Sequence, residues 1–92
     1  MENEISEFFE MLVKKYINKY TLKYINMAVF RDDFITGTLK TIEDYNINRS
    51  ISEDALIEAV WDNISFCKLF PTAENESIEF IISMSNKYFL YE

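Results

Sequence analysis

The sequence contains no histidine and only one cysteine, one glycine and one proline in 92 residues. Without histidine, no imidazole can act as a general base or activate a serine or cysteine nucleophile. With one glycine, the chain cannot form a P-loop, a nucleophile elbow or a dinucleotide-binding turn, each of which needs several glycines. These absences predict that the protein is not an enzyme.

Carboxylates are abundant, but their spacing predicts neither a catalytic pair nor a metal site. Asp32–Asp33, Glu43–Asp44 and Glu53–Asp54 are neighbours in sequence, and neighbours on a helix point about 100° apart. Transition-metal sites draw mainly on histidine and cysteine. The D-x-[DN]-x-[DN]-G pattern of a calcium loop is absent. We therefore expect no metal and no cofactor.

Long hydrophobic runs are also missing. No apolar stretch approaches the roughly 20 residues that span a bilayer. The first residues, MENEISEF, lack the basic and apolar regions of a signal peptide. We expect no membrane partner and a location in the cytoplasm, which would be the host cytoplasm if a phage encodes the protein.

The composition predicts a small helical domain. A chain of 92 residues can bury one modest core, so residues 1–92 are expected to form a single domain. The hydrophobic share of 49% and the aromatic share of 16% exceed those of disordered chains. Scarce glycine and proline leave few tight turns. We predict a mainly α-helical, compact bundle of four or five helices.

Apolar periodicity predicts where the first helices lie. Residues 2–20 keep an i, i+3, i+4, i+7 pattern and are expected to form one helix. A second, short helix is expected over 21–30, with Thr21 as its N-cap. Residues 31–47 favour a third helix, although Gly37 and several β-branched residues also suit a strand. A loop is expected at 46–51.

The second half of the chain begins with the strongest two-sided helical pattern. Residues 52–69 are expected to form one helix that ends before Pro71, with Ser50 or Ser52 as its cap. The single cysteine, Cys67, falls in the apolar arc of this helix and is expected to be a buried thiol. The arc consists of Leu56, Ile57, Val60, Trp61, Ile64 and Cys67.

Two structures are open for the C-terminal segment. Thr72 followed by glutamates in the first turn indicates a helix over 72–92. The alternative is a β-hairpin with strands IEFIIS (78–83) and KYFLYE (87–92), because isoleucine and aromatic residues suit strands. The hairpin would make the fold α+β.

The charge is strongly acidic, with 16 acidic residues, 9 basic residues and a formal net charge of −7. Such a protein repels phosphate backbones, so direct nucleic-acid binding is not expected. A basic protein partner is favoured instead. Six acids and one arginine lie in residues 41–63, whereas residues 11–23 hold four lysines and no acid.

Asp54, Glu58 and Asp62 recur every four residues, nearly opposite the apolar arc. Carboxylates one helical turn apart, roughly 6 Å, can imitate successive phosphates and dock where lysine and arginine grip DNA. No lysine stands at i+4 to neutralise them. The alternative is an ordinary solvated helix face. The predicted partner-binding residues are Asp54, Glu58, Asp62, Glu43, Asp44, Glu74, Glu76 and Glu79.

Tyrosines suggest a further contact surface. Tyr20, Tyr24, Tyr88 and Tyr91 are candidates, because tyrosine is enriched at interfaces. The alternative is that they cover core edges with their hydroxyls in water. Self-association into a homodimer would bury apolar surface and could join two acidic faces.

The chain is small and acidic and lacks catalytic residues, and it contains the segments MENEISEFF, IEDYNIN and SEDALIEAVWDN. In this overall character the chain resembles early proteins of T-even-type phages, and among them the anti-restriction DNA mimics. The resemblance implies a homodimer whose acidic surfaces occupy the DNA site of a host restriction or DNA-binding protein. The lysine-rich stretch from Lys14 to Lys23 departs from a uniformly acidic surface.

A second class of protein shares the same character. Immunity proteins that neutralise bacterial nuclease toxins are also small, acidic and often helical. Competition with DNA for several host proteins would favour a DNA mimic, whereas one very tight toxin partner would favour an immunity protein. A host-directed adaptor or structural protein without a charge-based target is the third alternative, and its binding would not depend on salt.

Overall fold

The computed structural model describes residues 1–89, which form six α-helices and no strand. The mainly α-helical prediction is confirmed, with more helices than the four or five expected. The helices are α1 (Glu2–Tyr16), α2 (Lys19–Leu22), α3 (Met27–Ile47), α4 (Glu53–Asn63), α5 (Ser65–Leu69) and α6 (Glu74–Phe89), with a 3-10 turn at Pro71–Ala73 between the last two.

The predicted helix over 2–20 is wrong beyond Tyr16, because Ile17 leaves the helix in an extended conformation. Asn18 explains the interruption. Its side-chain oxygen accepts the backbone N–H groups of Tyr20 and Thr21, at 2.9 and 3.0 Å. This capping starts a new helix and offers the backbone an alternative to continuing the old one. The N-cap of α2 is therefore Asn18, where Thr21 had been predicted.

The helix predicted over 21–30 is wrong as a single helix, because Thr21 and Leu22 end α2 whereas residues 27–30 begin α3. Asn26 caps α3 by accepting the N–H of Val29 at 3.3 Å. The helix predicted over 31–47 is confirmed despite its β-branched residues. Two of these, Thr38 and Thr41, are buried against neighbouring helices, and the Thr41 hydroxyl donates to the Gly37 carbonyl at 2.8 Å. Tertiary packing thus outweighs their weak helix propensity.

The single helix predicted over 52–69 is interrupted. Ser52 is its cap, accepting the Ala55 N–H at 3.1 Å. At Ile64 the backbone becomes extended (φ −121°, ψ 98°), and α5 starts afresh. The Ile64 side chain is fully buried, as are Phe66 and Cys67. The break lets both helices turn apolar residues inward. The full burial of Cys67 confirms the prediction of a buried thiol.

The β-hairpin alternative is wrong for the described residues, because IEFIIS lies inside α6. The buried side chains of α6 recur at helical spacing, which suits one face packed on α3 and α4. They are Ser77, Ile78, Ile81, Met84 and Ser85. The end of the second predicted strand, residues 90–92, lies outside the described part of the chain.

The core has α3 at its centre, packed against α1, α4, α5 and α6. Aromatic rings fill much of it. Phe9, Phe34 and Phe66 are almost fully buried, with the Phe9 and Phe34 ring centroids 5.2 Å apart. Phe8 and Phe80 stack at 4.2 Å and join α1 to α6. Across residues 1–89, no helix combines the length and the apolar character needed to span a membrane.

Candidate functional site

The acidic stripe, defined here as Asp54, Glu58 and Asp62, lies along the outer side of α4. All three residues are exposed, whereas Leu56 and Val60 on the opposite side are buried against the core. The four-residue spacing places the carboxylates in one row, roughly one turn or 6 Å apart. The core therefore fixes the direction in which this row faces.

No side chain of residues 1–89 neutralises the acidic stripe. The salt bridges and side-chain hydrogen bonds found in the described part of the chain involve none of its three carboxylates. Like charges one turn apart on a helix repel each other by a few tenths of a kcal/mol. A cationic partner would relieve this repulsion, so the arrangement can bind arginine or lysine side chains without first breaking an internal contact.

Glu43 and Asp44 lie near the end of α3, before the link of residues 48–52 that leads into α4. Glu43 is exposed on the side of α3 opposite its buried residues. Asp44 is half-buried, and its carboxylate lies 3.5 Å from the ammonium of Lys40, one turn earlier. Glu43 is thus available to a partner, whereas the charge of Asp44 is partly compensated.

Glu74 and Glu76 are engaged within the protein. Glu74 accepts a hydrogen bond from the indole N–H of Trp61, which ties α6 to α4. Glu76 accepts one from the Tyr16 hydroxyl and pairs with the Lys15 ammonium at 3.0 Å, which ties α6 to α1. The Tyr16 hydroxyl, together with Lys15, keeps the pKa of Glu76 below its ordinary value. Of the three predicted glutamates of α6, only Glu79 is exposed without such a contact.

Glu4 makes a contact between α1 and α6 that the sequence did not indicate. Its carboxylate accepts hydrogen bonds from the Lys87 ammonium, at 2.8 Å, and from the Tyr88 hydroxyl. These donors, Lys87 first, lower the pKa of Glu4, and the same carboxylate raises the pKa of Tyr88. The contact joins residues 83 or more positions apart. No local spacing could indicate it, since Glu4 also suits the first turn of any helix.

The three described tyrosines of the predicted contact surface do not lie together. Tyr20 and Tyr24 are 65% and 88% exposed, so both are free to meet a partner. Tyr88 is half-buried and bonded to Glu4. The fourth candidate, Tyr91, lies outside the described residues. Of the described candidates, only the pair near α2 therefore keeps the exposure that an interface requires.

Within residues 1–89, no three cysteine, aspartate or glutamate side chains converge as a metal site would require. The chemistry that this surface offers is thus the binding of cations by carboxylates on a rigid helix. Comparisons with protein families, curated proteins and solved structures found no match to this chain. The resemblance to anti-restriction DNA mimics accordingly stays a prediction.

Proposed function

We propose that the protein is a small acidic inhibitor that binds the nucleic-acid-binding surface of a basic protein. In this proposal the acidic stripe takes the place of a phosphate backbone on a host restriction or DNA-binding protein. The observation that carries the proposal is the row of three exposed carboxylates on α4 that no cation of the described residues neutralises. Glu43 and Glu79 are exposed carboxylates that could extend the contact.

The energetics favour a contact that forms fast and is sensitive to salt. One exposed ion pair contributes about 0.2–1 kcal/mol, so the acidic stripe alone gives only modest affinity. Complementary charge mainly raises the association rate and selects the partner. Tight binding would need further contacts, for example the exposed tyrosines or a second copy of the chain joining two acidic faces. The homodimer is therefore part of the proposal.

The acidic stripe can be tested cleanly, because its side chains make no contact that the fold requires. In a pull-down from bacterial lysate, the wild type should capture DNA- or RNA-binding proteins at low salt and release them at high salt. Asp54→Asn/Glu58→Gln/Asp62→Asn should capture none of them. A matched control is Glu2→Gln/Glu7→Gln/Glu10→Gln, which removes the same charge from exposed positions of α1 and should behave as wild type.

The captured proteins decide between the two classes of inhibitor. Several DNA-binding proteins, each displaced by added DNA, would support the DNA mimic. A single nuclease toxin held very tightly would identify an immunity protein instead. If the stripe variant captures the same proteins as the wild type, the acidic stripe is only a solvated helix face and the proposal fails.

A further inference from the structure

One end of the molecule has the opposite charge to the rest. From residue 11 to residue 31 the chain holds four lysines and one arginine and no acidic residue, although the whole protein carries −7. These residues cover the end of α1, all of α2 and the start of α3. We call this surface the basic-aromatic end, formed by Lys14, Lys19, Tyr20, Leu22, Lys23, Tyr24, Val29 and Arg31.

The cations of the basic-aromatic end have no carboxylate partner among residues 1–89. Lys14, Lys19 and Lys23 are exposed and form no salt bridge. Arg31 donates only to the neutral hydroxyl of Ser6, at 2.8 and 3.1 Å. Lys15, by contrast, forms a salt bridge with Glu76. Four positive charges are thus available to an anionic partner.

Exposed apolar side chains lie among these cations. Four of the eight large hydrophobic residues that the described chain exposes fall within residues 20–29, namely Tyr20, Leu22, Tyr24 and Val29. The ammonium groups of Lys19 and Lys23 lie 5.6 and 5.9 Å from the centre of the Tyr20 ring. Residues 19–29 therefore combine exposed tyrosine, leucine and valine side chains with lysines.

Two shallow grooves border the start of α3, one on each side of the helix. Lys14 and Arg31 line a groove of about 340 Å³ over Phe9 and Met27, between α1 and α3. Tyr24 and Val29 line a second groove that adjoins the first turn of α3. Among residues 1–89, the carboxylates that line these grooves are those of Glu10 and Asp33. The basic-aromatic end thus combines positive charge, exposed apolar side chains and shallow grooves.

We propose that the basic-aromatic end docks on the surface of an anionic lipid bilayer. Lysine and arginine near such a surface are attracted to its headgroups. Tyrosine prefers the headgroup level, and aliphatic side chains enter the acyl boundary. The acidic remainder of the protein is repelled by the same lipids, so the charge separation also orients the bound protein. Docking on the surface differs from spanning, which needs roughly 20 apolar residues in one helix.

Single-stranded nucleic acid is the competing polyanion, and the observations favour it less. The apolar side chains of Leu22 and Val29 do not bind phosphates, whereas their burial at a bilayer interface is favourable. The ring of Tyr20 already carries two ammonium groups nearby, so it is not a bare stacking platform for bases.

The test is co-sedimentation with vesicles of phosphatidylcholine alone or with one quarter phosphatidylglycerol. The wild type should bind only the anionic vesicles and be released by 0.5 M salt, a screening effect that shortens the Debye length to roughly 4 Å. Lys19→Glu/Lys23→Glu should weaken binding at least about 25-fold, at about 5-fold for each lysine lost. Leu22→Asp/Val29→Asp should also reduce it.

The matched control is Lys40→Glu/Lys68→Glu, which makes the same change in net charge at exposed cations outside this surface. It should lose less than about 3-fold in affinity, because these residues lie beyond the contact. Binding to neither vesicle, equal binding to both, or equal loss in the control overturns the proposal. Binding of a 20-nucleotide oligo-dT without vesicle binding overturns it in favour of nucleic acid. Lys19→Glu/Lys23→Glu should still capture the partner of the acidic stripe, so each proposal can fail alone.

Discussion

Replacement of Gly37 by alanine probes a close approach between α3 and the end of α4. A Cβ atom at this position would lie 1.8 Å from the carbonyl oxygen of Asn63 and 2.8 Å from its carbonyl carbon. An ordinary carbon–oxygen contact is about 3.3 Å or longer. The backbone at the end of α4 would therefore have to move by roughly 1.5 Å. No side-chain rotation can relieve the contact, since the obstructing atoms are backbone.

The expected cost follows from this displacement. Moving Asn63 away would stretch the hydrogen bond from its side-chain amide to the Thr41 hydroxyl, now 3.2 Å, and would loosen the packing of buried Val60. Overpacking of this kind costs about 1–3 kcal/mol, and a backbone obstacle favours the upper value. Alanine regains about 1 kcal/mol of helix propensity. The net loss should be about 2 kcal/mol, or roughly 8–16 °C in Tm.

Urea unfolding followed by far-UV circular dichroism measures this difference directly. The control is Thr36→Ala on the exposed side of the same helix, which should stabilise the protein by a few tenths of a kcal/mol through helix propensity. If Gly37→Ala is as stable as the wild type or more stable, the helices do not approach as closely as the structure shows, and the reasoning is refuted.

Two further predictions concern acid stability and thiol reactivity. Because its folded-state pKa is lowered, the contribution of Glu76 to stability is complete above the ordinary value of 4.5 and is lost as the pH falls below it. Glu76→Gln should therefore lose less stability than the wild type between pH 6 and pH 3. Equal slopes for Glu76→Gln and the wild type would contradict the assignment. Burial raises the pKa of the Cys67 thiol, so a disulfide reagent such as DTNB should label it only in urea, and rapid labelling of the native protein would show that the thiol is accessible.

The sequence determined the helices that have a clear apolar face, because the periodicity of apolar residues indicates which face of a helix is buried. The helical periodicity of residues 52–62 placed the acidic stripe opposite Leu56 and Val60. Ser52, one of the two predicted caps, is the N-cap of α4. Burial of Cys67 followed from the same arc. Local caps and one-sided burial are short-range properties, and a single segment contains all the information they need.

Tertiary structure decided the second break, at Ile64, and which carboxylates are free. The break at Ile64 buries Phe66, which a continuous helix would turn away from the apolar arc. Glu76 and Glu4 carry the same charge as Glu58, yet their lysine and tyrosine partners are supplied by distant parts of the chain. Such pairs depend on how helices pack, so no spacing within one helix distinguishes an exposed carboxylate from a structural one.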